Sequence, residues 1–155
     1  MSFTSNEARL RLLARSGNQL DLVGETLKVM LVQSTYTPDR DHQFVDAITG
    51  GTSKELSGTG YVAGFAGSGR KTLASKALAK DDSNDLAKLS AADLTWTAIN
   101  AGTIRYAVVI REGTTDADSL IIAVIDVNAT AGYLTDGNDF LLKWPSNGVL
   151  KFTAP

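Results

Sequence analysis

The run Gly64-Phe65-Ala66-Gly67-Ser68-Gly69-Arg70-Lys71-Thr72 comes nearest to a chemical motif in this chain. A phosphate-binding loop reads G-x-x-x-x-G-K-[ST]: backbone amides cradle the phosphates, and the lysine directly after the second glycine reaches them. Here Arg70 intervenes, which displaces both the ammonium and the hydroxyl by one residue. Leu120 to Asp126 has the pattern of the apolar strand that ends in an acidic metal-orienting residue in such enzymes, as any buried strand ending in Asp does. No strong strand leads into Gly64, and the strand–helix alternation of a P-loop fold is missing. The glycines are therefore expected to form a tightly turning or mobile loop, and a P-loop nucleotide-binding enzyme is the weakest of three functional readings.

Other candidates for chemistry are weaker still. His42 is the single histidine and stands among Asp39, Asp41 and Asp46 with no paired nucleophile, so a solvated or structural role is expected. Asp81, Asp82 and Asp85 lack the glycine and terminal glutamate of a calcium loop and read as a solvated turn. Trp96, Trp144, Tyr61 and Tyr106 have the chemistry of ligand platforms, but aromatics of this kind more often fill a core or a sheet face. No catalytic residue, cofactor-binding residue or metal ligand is marked, and the expectation is a protein that is not an enzyme and takes no cofactor.

The elements that would carry these residues are mostly strands. Tyr106 to Ile110 and Leu120 to Val127 are rich in Val and Ile, whose branched side chains suit a pleated surface. The polar stretch Arg111 to Ser119 between them favours a turn, so the pair reads as a central hairpin. Leu27 to Val32 is a further strand with both faces apolar. Short strands are expected near Thr72 to Leu78 and Leu86 to Leu89, after the stretch Asp93 to Trp96 that leads into one, and at Phe140 to Trp144 and Val149 to Phe152, and a helix of one or two turns is expected after Pro38. About seven or eight short strands at this spacing point to a mainly β fold, an antiparallel β-sandwich or jelly-roll-like barrel.

A short amphipathic helix is expected at the N-terminus. Thr4 is placed to cap it, with Glu7 three residues on, Glu7 and Arg11 at ion-pair spacing, and Gly17 as a stop. A helix this short needs something to dock against. It either packs on its own sheet or serves as an arm that reaches a neighbouring subunit, with Arg9, Arg11, Leu13 and Arg15 as the candidate contacts. The chain accordingly divides into a helical arm, 1–24, and a single β-rich domain, 25–155.

Composition narrows the setting. The chain has 155 residues, 43% of them hydrophobic, which is enough for a sizeable core, and Cys is 0, so disulfides and thiolate metal sites are excluded. A formal charge of −2 argues against general polyanion binding and leaves a local basic patch open. No run approaches the roughly 20 apolar residues of a membrane span. Arginines interrupt the leucines of the first segment, so a signal peptide is not expected.

Several segments in order carry a family resemblance. They are LKVMLV from Leu27, Tyr36-Thr37-Pro38-Asp39 with His42 and Phe44, Glu55-Leu56-Ser57-Gly58-Thr59-Gly60-Tyr61, Asp93-Leu94-Thr95-Trp96, LIIAVIDV from Leu120, and the terminal DFLLKW with NGVL. This order resembles small virion structural proteins of tailed bacteriophages, of the capsid decoration or cement type. It spans most of the chain from Leu27 onward and leaves the segment through Gly24 uncovered. The resemblance implies a β-rich, non-enzymatic homo-oligomer, a trimer in the favoured case, bound to the major capsid protein. It also implies a place on the capsid surface of the virion after synthesis in the host cytoplasm, with no direct nucleic-acid or membrane contact. No catalytic residue is carried over. The alternative within this setting is a tail, baseplate or fibre component that recognises a host or glycan through Tyr61, Tyr133 or Trp144.

Overall fold

The structure is a computed structural model that describes residues 2–14, 19–128 and 130–153. In chain order the first elements are β1 (Phe3–Thr4), α1 (Asn6–Leu13), β2 (Leu27–Gln33), α2 (Asp46–Thr49), β3 (Lys71–Thr72) and β4 (Ala77–Asp81). They are followed by β5 (Leu86–Ser90), β6 (Leu94–Trp96), β7 (Thr103–Arg111), β8 (Leu120–Asp126), β9 (Tyr133–Leu134), β10 (Phe140–Leu142) and β11 (Leu150–Thr153).

The apolar runs form the centre. Strands β2, β7 and β8 pair antiparallel, with Val29 opposite Val109 and Val108 opposite Val124, and the β7–β8 register shifts between Val109 and Ile110, where β8 carries Ile122 as an extra residue. Successive side chains of a strand point to opposite faces, so a run that is apolar throughout must be covered on both sides. On one face Leu27, Val29 and Leu31 of β2 pack with Leu120 and Ile122 of β8. On the other, Met30 and Val32 join Ile121 and Val124 beneath Tyr36, Val45 and Ile48.

The expected β-sandwich or jelly-roll-like barrel does not form. The central sheet is open, with order β1-β8-β7-β2-β3 and β9 beside β7, and the other strands form a separate pair, β10-β6, and a separate triple, β11-β5-β4. The sheet stops because its outer strands, β1 and β3, are two residues long and do not pair with each other. Leu89, Trp96, Phe140, Leu142 and Leu150 of the small sheets cover one face of the centre without closing it. The described residues are mainly β with two short helices, built from open sheets.

Both edges of the long strands are occupied by short segments. On β8, Phe3 and Thr4 pair with Val124 and Ala123, and the Ser5 amide donates to the Ile122 carbonyl. Farther along, the Ile121 amide donates to Gln43 and the Val45 amide to Ser119. On β2, the Leu56 amide donates to Leu31 and the Leu73 amide to Leu27. Such cover removes the free backbone groups that would template unwanted pairing.

Candidate functional site

Arg70, the residue that spoils the phosphate-loop motif, is the hub of the glycine-rich stretch. It is 6% exposed, and Glu55 beside it is 2% exposed. Nε and Nη2 of Arg70 donate to the two Glu55 oxygens at 2.9 and 2.7 Å. Nη1 and Nη2 donate to Asp116 at 2.6 and 3.1 Å. The guanidinium thus holds two carboxylates in fork geometry, which suits arginine and would not suit lysine. Thr49 Oγ1 donates to Asp116 at 2.8 Å, and the Tyr61 hydroxyl donates to Glu55 at 3.0 Å while accepting the Leu31 amide at 3.0 Å.

The electrostatics follow from these contacts. Burial alone would lower the Arg70 pKa, but hydrogen bonds and charge from Glu55 and Asp116 offset it and raise it. Asp116 is raised by partial burial and lowered more by Arg70 and Thr49, so its carboxyl titrates below the ordinary range. Burial, and then the Glu55 charge, push the Tyr61 hydroxyl well above its usual value. The acceptors of the cluster are filled by the protein itself, and the cluster ties together the segments around residues 49, 55, 61, 70 and 116.

The glycines belong to the same knot. The Gly64 amide donates to Glu55 at 3.0 Å, Gly67 to the Gly64 carbonyl at 2.9 Å, and Gly69 to the Val62 carbonyl at 2.9 Å. Amides that would cradle phosphate are committed to protein acceptors. A Cβ on Gly69 would lie 2.4 Å from the Tyr61 ring, and the Gly69 carbonyl accepts the Trp96 indole N–H at 2.6 Å. The glycine is there for close packing. Lys71 lies in β3 opposite Val29.

The remaining expected site residues are scattered. His42 Nδ1 lies 2.9 Å from the Tyr36 hydroxyl, and burial pushes that hydroxyl up to about 12. Asp81 accepts the Asn84 amide and side-chain N–H in the β4–β5 turn. No group of three His, Cys, Asp or Glu among the described residues is placed to hold a metal ion. Trp96 and Tyr61 are buried core residues, Tyr106 and Trp144 are half-buried, and Tyr61, 1% exposed, shares no surface with Tyr133.

The N-terminal segment presents an outer surface. α1 lies against β8. Ser5, one residue later than expected, is the cap: its hydroxyl accepts the Ala8 amide at 3.2 Å and donates to the Ile121 carbonyl. Of the candidate contacts, Arg11 is tied to Glu7 at 2.8 Å, whereas Leu13 is 82% exposed and Arg9 is exposed. Arg15 and the expected stop Gly17 lie outside the described residues. Leu10, one turn before Leu13, is 63% exposed. Arg9 also lines a groove of about 390 Å³ between β1 and the segment from Leu142 to Lys151.

Sequence reasoning missed Glu55 and Asp116, which are 15 and 46 residues from Arg70. The sequence around Arg70, glycines before it and Lys71 after it, carries no signal of either partner. Compared with family models, with curated proteins and with solved structures, the chain matches none.

Proposed function

We propose that this chain is a structural protein of a tailed-bacteriophage virion, a capsid decoration or cement protein with no catalytic role. The observation that carries the interaction role is the pair Leu10 and Leu13, exposed one turn apart on a helix anchored to β8. Two large apolar side chains side by side on an anchored surface suit contact with another protein better than contact with water. The order of segments from Leu27 onward supplies the virion setting. Contacts made only to the assembled lattice would stabilise it by mass action, and a symmetric oligomer, a trimer in the favoured case, fits the points where capsomers meet.

The test is made on phage heads. The purified protein is expected to co-sediment with heads, and heads that lack it are expected to lose their genome at lower temperature or under milder osmotic shock. Unchanged head stability would refute the cement role. Labelling that places the protein on the tail would replace it with a tail, baseplate or fibre role. Nucleotide titration with Mg²⁺, with Lys71→Ala as control, is expected to show no binding, since the Gly64, Gly67 and Gly69 amides already have acceptors.

A further inference from the structure

The groove beside β1 combines three features that bear on one kind of ligand. Its apolar lining comes from Phe3, Val124, Leu142 and Trp144. Its charged lining is Arg9, Arg40, Lys143 and Lys151, with no Asp or Glu. The whole chain carries 17 acidic and 15 basic residues, so the local balance is reversed against the global one. All four cations are exposed, and none is ion-paired to a carboxylate of the described residues. The Arg40 guanidinium sits 5.1 Å from the centre of the Phe3 ring, which holds one charge beside the apolar lining.

The third feature is a stretch of open backbone. Phe3 pairs with Val124 and Thr4 with Ala123, and the Ser5 amide donates to Ile122 at 3.0 Å. Antiparallel ladders alternate bonded and non-bonded positions, so the Thr4 N–H and C=O point away from β8. One step further on, the Asn6 amide bonds outward to the Arg40 carbonyl at 3.0 Å, so this outer side already accepts backbone pairing.

We propose that this groove takes an extended acidic segment of a partner protein, added as a strand beside β1, with an apolar side chain against Leu142 and Trp144 and carboxylates on the flanking cations. Main-chain bonds to a sheet edge, with pockets for alternate side chains, are a recurring mode of peptide recognition. A nucleic acid fits less well. The cations line a cleft that also has an apolar lining, and the chain as a whole carries a net charge of −2, not the strong positive charge that a polyanion favours. The inference is independent of the virion reading, because it concerns the chemistry of the segment and not the identity of its owner.

The test is fluorescence anisotropy on the full chain with a fluorescein-labelled peptide of alternating Glu and Val. Poly-glutamate, a Lys–Val peptide and a single-stranded oligothymidylate are the comparison probes. The Glu–Val peptide is expected to bind best. The double charge reversal Lys143→Glu with Lys151→Glu is expected to weaken it roughly tenfold or more, while Lys80→Glu, on β4, leaves it unchanged. Thr4→Pro, which removes the outward N–H and leaves the ladder to β8 intact, is expected to weaken it without lowering the melting temperature. The proposal is overturned by absent Glu–Val binding, by equal binding of poly-glutamate, Lys–Val or oligothymidylate, or by indifference to the double reversal. Undiminished binding by Thr4→Pro removes the added-strand geometry.

Discussion

The knot around Arg70 and the tip of the β4–β5 hairpin are both built from opposite charges at short range, and they differ in everything else. Arg70 and Glu55 meet at 2.7 Å with almost no exposure, whereas Lys80 and Asp82 meet at 2.6 Å with side chains 80% and 74% exposed. Water weakens the second attraction through its dielectric and competes for both partners. In the knot, loss of Arg70 would leave the buried Glu55 carboxylate without its cation. Separation therefore says little about what an ion pair contributes. The number of chain segments it joins, and the solvent it displaces, say more.

Arg70→Ala should break the contrast most severely. It is expected to cost about 3–5 kcal/mol in chemical denaturation, because Glu55 would remain buried without its cation. Gly69→Ala comes next, at about 1–3 kcal/mol, since the new methyl would force the Tyr61 ring from its place between Glu55 and the Leu31 amide. A smaller loss of that kind, with the melt unchanged, would mean that the knot is looser than its geometry.

Titration separates the two regions further. The Asp116 pKa is lowered in the folded state, so its stabilising contribution is present above the ordinary carboxylate value near 4 and is lost as pH falls below it. The Tyr61 pKa is raised, so its contribution is present below about 10 and is lost as pH rises past that value. Stability measured against pH should thus fall at both ends. Asp116→Asn is expected to flatten the acid limb, and a limb that keeps its slope would place the acid sensitivity elsewhere. The smallest effect is expected for Lys80→Ala, within about 0.5 kcal/mol of the parent by thermal melting.

The sheet centre was legible because its side chains are of one kind. Val and Ile crowd both halves of the β7–β8 hairpin, and no short-range alternative competes with strand there. Where a residue's structure depends on a distant partner, the local signal misled. Thr4 has the right type and spacing for a helix cap, but it pairs with Ala123, and the cap passes to Ser5. The helix expected after Pro38 forms but starts late, at Asp46, because Gln43 and Val45 bond to the β8 edge. The strand expected near Thr72 to Leu78 breaks at Ser75, whose φ of 53° ends β3 before β4 begins. Seven or eight similar strands suggested closure, but among the described residues only β2, β7 and β8 reach seven residues, and the shorter strands gather in separate small sheets. The Arg70 cluster was the least legible part, since nothing near Arg70 in sequence announces Glu55 or Asp116.

The short cover on β8 has a consequence for the chain as a solute. Strand β8 is buried along most of its length, and its outer side is capped by Phe3 to Ser5 and by Gln43 to Val45. A deletion of Ser2 to Ser5 should bare backbone groups next to Val124, a template onto which a second molecule can zip. Sedimentation velocity is expected to show concentration-dependent self-association of that variant while the parent sediments as before, and an unchanged profile would assign the protection to surface charge. Self-association of that variant would assign the colloidal behaviour of this protein to the few residues that precede its first helix.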